Sequence, residues 1–265
     1  VLNGGTFVKN SIALSAALAL IPGAAFAGNP GYDLAKKVND EASNYIGSTS
    51  DAIMTLYDGD KVTVEYKLKQ FAVEGTKDNG NTTKSLIRFL APADSKGTAL
   101  LTHEVKNGSE SRWLYLSETR QVKQIAGSAK SAAFKGSEFS YEDMSVDTLD
   151  KYEYKLLGEK TVNGRKCDQV ERTAKYEDSG YSKSIVCFDK ENPYIDQVEF
   201  FDKGGKLVKV STVGEYKKVD GRWRSHFSEI KNVQTNKRTT LKGANIKLQQ
   251  KLSDQLFTTA QLQKD

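Results

Sequence analysis

Only two histidines and two cysteines occur among the 265 residues. His103 and His226 stand far apart, each inside a strand-like run, and no Cys/His cluster has the spacing of a zinc site. There is no G-x-S-x-G elbow and no phosphate-cradling glycine loop. Glu138, Glu142 and Asp143 make a small acidic group, but carboxylates near a helix start serve as caps more often than as acid–base pairs. These absences argue against a hydrolase or any other enzyme, and the expectation is no catalytic residue, no metal and no cofactor. Blocks of one charge are also missing: 39 Lys and Arg are interspersed with 34 Asp and Glu. Nucleic acid is therefore not an expected partner, while the mild positive balance is compatible with transient contact at an anionic membrane surface. Proline is scarce, at 4, and no linker or low-complexity stretch divides the chain.

Long apolar runs are lacking too, apart from one near the start. Within residues 1–27 Lys9 is the only charged side chain, the run Ile12 to Ile21 follows it, Pro22-Gly23 breaks it, and Ala25-Phe26-Ala27 offers small residues for cleavage. The run is shorter than the roughly 20 residues that span a bilayer, so residues 1–27 read as a secretory signal peptide cleaved after Ala27. Gly28, not Cys, stands immediately after that point, so no lipid anchor is expected there. Loss of Lys9 lowers the net charge from +5 to +4. Residues 28–265 read as one domain with ample length for a core.

What the chain has in quantity is aromatic residues, 12 Tyr and 11 Phe, and period-two alternation. A helix is expected over Gly31 to Ser43, with Tyr32, Leu34, Ala35, Val38 and Ala42 on one side, ended by a polar break at Gly47-Ser48-Thr49-Ser50. Strands follow, joined by turns at Asp78-Asn79-Gly80-Asn81, Asn107-Gly108, Asn163-Gly164, Ser179-Gly180, Gly204-Gly205 and Asp220-Gly221. Trp223–Val233 reads as one strand. Ten or more meandering strands exceed a comfortable flat sheet and must curl into a barrel or part-barrel. The tail from Ser253 reads as a loop and short helix returning Leu256, Phe257 and Leu262 to the sheet.

Cys167 and Cys187 lie in two runs flanking the turn Glu177-Asp178-Ser179-Gly180. They are expected opposite or nearly so, and export permits a disulfide; two reduced, buried thiols are the alternative.

One stretch fits neither period. Between Ala133 and Met144 the apolar residues are Phe134, Phe139, Tyr141 and Met144. Gly136 permits a sharp bend, and Ser140 to Met144 can form one helical turn with Ser140 as its N-cap. Such a segment lies over one face of the sheet, either as a fixed core plug or as the movable wall of a cavity, since a plain hairpin would serve for connectivity alone. Alternation places Val64, Tyr66, Leu68, Phe89, Trp113, Tyr115, Phe200 and Trp223 on the inward face. With Phe134, Phe139, Tyr141 and Met144 they are the candidate hydrophobic ligand-binding residues. The same residues could equally pack on one another and leave no cavity.

Three motifs carry a family resemblance: Leu90-Ala91-Pro92-Ala93-Asp94-Ser95-Lys96-Gly97-Thr98-Ala99-Leu100-Leu101, then Trp113-Leu114-Tyr115-Leu116, then Phe134-Lys135-Gly136-Ser137-Glu138-Phe139-Ser140-Tyr141-Glu142-Asp143, with Phe257-Thr258 near the end. In order and spacing they resemble the LolA-related outer-membrane lipoprotein-sorting proteins, over essentially all of residues 28–265. Ser117-Glu118-Thr119-Arg120 departs from the more basic, proline-containing turn of that family, and Glu138 stands where Asp is usual. The resemblance implies a mainly β, strongly curved antiparallel sheet forming an unclosed half-barrel, with helices and a mid-chain loop over its concave face, as in LolA and LolB. It implies a monomeric periplasmic carrier of lipid or lipoprotein acyl chains, working between inner and outer membrane, with an inner-membrane transporter of the resistance-nodulation-division (RND) type as partner. Relatives of this fold also act as envelope-stress regulators, which is the alternative reading.

Overall fold

The computed structural model describes residues 28–77, 80, 82–105, 110–145 and 149–264. The expected signal peptide, the turn at Asn107-Gly108 and most of that at residues 78–81 lie outside the described residues. The chain begins with helix α1 (Pro30–Ala42) and continues through β1 (Gly47–Asp58), β2 (Lys61–Val73), β3 (Thr82–Ala91), β4 (Ala99–Val105), β5 (Glu110–Leu116) and β6 (Gln121–Gln124). After the mid-chain segment come β7 (Tyr152–Val162), β8 (Arg165–Ala174), β9 (Lys183–Asp189), β10 (Ile195–Phe201) and β11 (Leu207–Gly214). A small hairpin, β12 (Lys217–Val219) and β13 (Arg222–Arg224), precedes β14 (Phe227–Asn232), β15 (Lys237–Lys247) and the short helix α2 (Thr259–Leu262).

Thirteen strands form one antiparallel sheet in the order β6-β5-β4-β3-β2-β1-β15-β14-β11-β10-β9-β8-β7. Its edges, β6 and β7, do not pair with each other, so the barrel is unclosed. It is nonetheless strongly curved. Lys151, just before β7, forms ion pairs with Glu104 on β4 and, at 3.3 Å, with Glu110 on β5. Thr83 of β3 and Tyr154 of β7 line one cavity.

The topology corrects one premise. β6 and β7 are consecutive in sequence but occupy opposite edges of the sheet, so no hairpin could join them. The mid-chain segment has to cross the concave face from edge to edge.

Polar residues Gly47 to Ser50 do not break the chain as expected. They open β1, paired to β2 from Gly47↔Val73 and to β15 at Thr49↔Lys247; two neighbouring strands satisfy their backbone whatever their side chains. The run Trp223–Val233 is likewise two strands, not one. Ser225 accepts from Phe227 N and donates to the Gly214 carbonyl, 2.9 Å away, and this corner turns the chain from the β12–β13 hairpin into the main sheet.

Alternation assigns two faces. Leu241, Met54 and Tyr66 stand abreast across β15, β1 and β2, and Ala52, Leu68 and Phe89 across β1, β2 and β3. These belong to the concave core, which Phe134, Phe139 and Tyr141 cover. On the other face Phe71, Leu86, Leu101 and Trp113 stand abreast, beneath Phe257 and Leu262 of the tail. Trp113 and Tyr115 are therefore on the convex side, not the inward face expected of them. β5 is apolar on both faces, with Leu114 in the concave core and Tyr115 in the convex one, so its own pattern could not decide the register. The tail is also held by polar contacts: His103 donates to the Phe257 carbonyl over 2.8 Å, and Arg88 to the Gln261 carbonyl over 3.1 Å.

Helix α1 lies over the second half of the concave face. Asn29 caps it, accepting from Tyr32 N at 3.1 Å, and Pro30 follows at the first helical position. Asn29 also donates to the Tyr154 carbonyl over 2.9 Å. Gly31 is a close-approach position: a Cβ there would lie 3.0 Å from Val170 and 3.2 Å from Leu156 N. The last turn of α1 carries no cation; Arg224 supplies one from β13, donating to the Ala42 carbonyl over 2.9 Å.

Candidate functional site

Two covers divide the concave face. The mid-chain segment fills the half formed by β1 to β5, where Phe134 is fully buried against Phe89, with ring centroids 5.8 Å apart. Gly136, at φ +75°, makes the sharp bend read from the sequence. Ser140 and Asp143 cap each other reciprocally: Asp143 N donates to Ser140 Oγ at 3.2 Å and Ser140 N to Asp143 Oδ2 at 2.7 Å. Met144 packs on the same cluster.

This segment is pinned by charge-assisted hydrogen bonds. Glu142 accepts from Tyr176 Oη (2.7 Å), Ser179 Oγ (2.6 Å) and Gly180 N (2.7 Å). Asp143 accepts from Tyr181 Oη (2.9 Å) and from buried Lys209 (2.9 Å). Lys209 also donates to the Glu138 carbonyl, 2.9 Å away. Burial, with Asp143 beside it, pushes the Tyr181 phenol far above its ordinary pKa, so Tyr181 remains a donor at physiological pH. Glu142 is thus a cross-link to the β8–β9 turn, where the sequence suggested a helix cap.

The other half, beneath α1, is less well filled. Of the α1 residues that face the sheet, Gly31 and Ala35 are buried, while Tyr32, Leu34 and Val38 pack on it and stay partly exposed. A cavity of about 290 Å³ lies along the helix between Ala35, Val38, Ala42, Tyr154, Phe188 and Ile195. A second, of about 410 Å³, continues past Val38, Ala42, Tyr45 and Ile195 to Tyr194, Tyr216, Trp223 and Leu248. A third, of about 190 Å³, lies at the edge of the mid-chain segment among Phe139, Tyr181, Val198, Phe200 and Ile230, and shares Arg172 and Ile195 with the first. Adjacent cavities therefore have walls in common.

Of the twelve candidate residues, Val64, Tyr66, Leu68, Phe89, Phe134, Phe139, Tyr141, Met144 and Phe200 belong to the concave core. Trp113 and Tyr115 do not. Trp223 is near the cavities by another route: it stands on the β12–β13 hairpin, edge-on to Tyr194 at 5.7 Å, and its backbone N–H donates to Glu41 Oε1 of α1 over 2.8 Å. Most of the nine concave residues pack on one another. Phe139 and Phe200 line the third cavity, but the other two lie among Val38, Ala42, Tyr45, Arg172, Ile195, Tyr194 and Tyr216, none of which was among the candidate ligand-binding residues. The signal available was the apolar side of α1, on which Val38 and Ala42 fall.

Cys167 and Cys187 are bonded, with Cα atoms 5.4 Å apart. They are diagonal neighbours, since Cys167 faces Asp189 and Cys187 faces Gln169. Among the described residues no group of His, Cys, Asp and Glu could hold a metal ion, and no helix is long and apolar enough to cross a membrane.

A curved, unclosed antiparallel sheet with a helix and a crossing segment on its concave face defines the LolA-like class. A family model described as "Uncharacterized protein" matches residues 81–264. An outer membrane lipoprotein-sorting protein domain from Vibrio parahaemolyticus is 31% identical, with a TM-score of 0.83 over 89% of this chain and 99% of its own. A DUF1329 family protein from Desulfovibrio piger is 30% identical, again with a TM-score of 0.83, over 88% and 98%. A LolA superfamily protein from Nitrosomonas europaea shares the fold at 15% identity, with a TM-score of 0.70 over 87% and 98%. Comparison with curated proteins returns no match. The chain belongs to the outer membrane lipoprotein-sorting (DUF1329) family.

Proposed function

We propose that this protein is a periplasmic carrier that shields an acyl chain, of a lipid or a lipoprotein, in the cavities beneath α1 and carries it between inner and outer membrane, with an RND-type transporter as partner. The observation that carries this reading is the incomplete filling of the concave face. Cavities of about 290 and 410 Å³ lie side by side beneath α1, at the lower end of the range of roughly 300–1,000 Å³ usual for ligand sites. The walls are largely aliphatic and aromatic. Ten buried methylenes supply roughly 8 kcal/mol, the free energy of about micromolar binding before ordering costs. Membership of the lipoprotein-sorting family and the leader-like residues 1–27 support the cargo class and the compartment. The test is mass spectrometry of an organic extract of protein purified from its native periplasm. A lipid at near-stoichiometric amount is expected. An extract with no lipid, from protein that also fails to bind an acyl probe, contradicts the reading.

A further inference from the structure

We infer that the β12–β13 hairpin is the flap through which cargo enters and leaves, and that Glu41 is its latch; this rests on the carrier reading above. The space beneath α1 runs from the cavity along the helix, past Val38, Ala42, Tyr45 and Ile195, into the larger cavity. The far wall of the larger one is made by Tyr216, Trp223, Arg224 and Ser225, which are the hairpin and its two stems. The other walls are fixed. At the start of α1, Asn29 is tied to the Tyr154 carbonyl and Gly31 lies hard against Val170. The mid-chain segment is pinned through Glu142 and Asp143 to the β8–β9 turn and to Lys209. The floor is the thirteen-stranded sheet, where displacing a strand breaks a whole ladder of hydrogen bonds.

The hairpin belongs to none of these. Among the described residues its strands pair with each other alone, Lys217↔Arg224, Lys218↔Trp223 and Val219↔Arg222, in a sheet of two. It can therefore swing as a unit while the main sheet keeps every ladder. Its pivot lies where β11 ends at Gly214 and β14 begins at Phe227. A Cβ added at Gly214 would meet nothing within 4 Å, so no packing braces that point. The hydrogen bonds from hairpin to helix converge on the last two residues of α1. Trp223 N–H donates to Glu41 Oε1 over 2.8 Å and Arg224 to the Ala42 carbonyl over 2.9 Å. Two more, from Arg222 and Arg224 to the Glu41 carbonyl, are long at 3.5 Å and correspondingly weak. Glu41 is the one carboxylate in this set, and the residue it holds, Trp223, is the one whose ring stands edge-on to Tyr194 at 5.7 Å on the cavity wall. Release of that single charge-assisted bond loosens the hairpin backbone and the aromatic wall together.

The test is stopped-flow fluorescence with cis-parinaric acid, the bound probe being chased by excess oleic acid. A latch sets how often the flap opens, not how well the closed site holds its cargo. Glu41→Ala is therefore expected to raise association and dissociation rates together, each about tenfold, the equivalent of one hydrogen bond to a charged group, with the dissociation constant little changed. Glu41→Gln, whose amide oxygen still accepts from Trp223 N–H, is expected to restore most of the wild-type rate. Amide hydrogen exchange of the wild type gives a reading without substitution. The N–H of Trp223, which the latch protects, should exchange faster than that of Phe134, which donates to the Phe139 carbonyl in the fixed cover. Wild-type rates in Glu41→Ala, weaker binding with an unchanged association rate, or a Trp223 N–H as protected as that of Phe134 each overturn the flap and leave the carrier standing. Failure of the wild type to bind the probe overturns both.

Discussion

Asp196 is 2% exposed and faces a single cation, Arg165, which is itself partly in solvent and also lies 3.8 Å from Asp189. Burial pushes the Asp196 carboxyl up to about 6, and Asp189 adds to the push that Arg165 only partly offsets. The sign follows from linkage: a carboxyl whose folded pKa exceeds its unfolded value of about 3.9 binds more protons folded than unfolded. Its ionised form therefore costs stability above pH 6, and the cost disappears as pH falls towards 4. Asp196→Asn is expected to stabilise the protein at pH 7.5 by up to about 3 kcal/mol and by nearly nothing at pH 4. Urea unfolding at the two pH values measures it, and equal effects at both would contradict it. The disulfide acts on the same scale through the unfolded chain. With a sequence separation of 20, reduction should cost about 3 kcal/mol.

At the scale of elements, the mid-chain crossing and the tail each seal one face. Phe139 is buried in the concave cluster, and its carbonyl accepts from Phe134 N at 2.7 Å. Phe139→Ala is expected to lower unfolding free energy by about 3–5 kcal/mol, with acyl-probe dissociation from the folded protein unchanged. A smaller loss joined to faster dissociation would instead make the segment a gate. On the convex side Phe257, 1% exposed, carries the tail. Phe257→Ala should cost about 3–5 kcal/mol, read by thermal melting, and a loss under 1 kcal/mol would show the tail to be dispensable. The elements themselves were largely legible, because most strands repeat at period two between glycine turns. Which face each strand buries was legible only where one side is charged, as in β2, where Lys67 and Lys69 flank Leu68. Where both faces are apolar, as in β5, the tail that covers the second face lies more than 100 residues away and leaves no local mark. Trp223 was misplaced for a related reason: the corner at Ser225 is made by side-chain hydrogen bonds, not by glycine or proline.

For the molecule as a whole, curvature follows from strand number and the unclosed edge was implied by the family resemblance, but the position of the empty space follows from neither. It depends on how α1 meets a sheet whose other half is already filled, a long-range match that alternation cannot express. The two tryptophans of the chain offer a direct reading of where cargo sits, since Trp223 lines a cavity and Trp113 packs beneath the tail on the opposite face. A brominated fatty acid quenches indole fluorescence only on close contact. The account predicts saturable quenching in Trp113→Phe, where Trp223 is the sole reporter, and none in Trp223→Phe. Quenching of Trp113 with Trp223 unaffected would place the chain on the convex face and contradict the account.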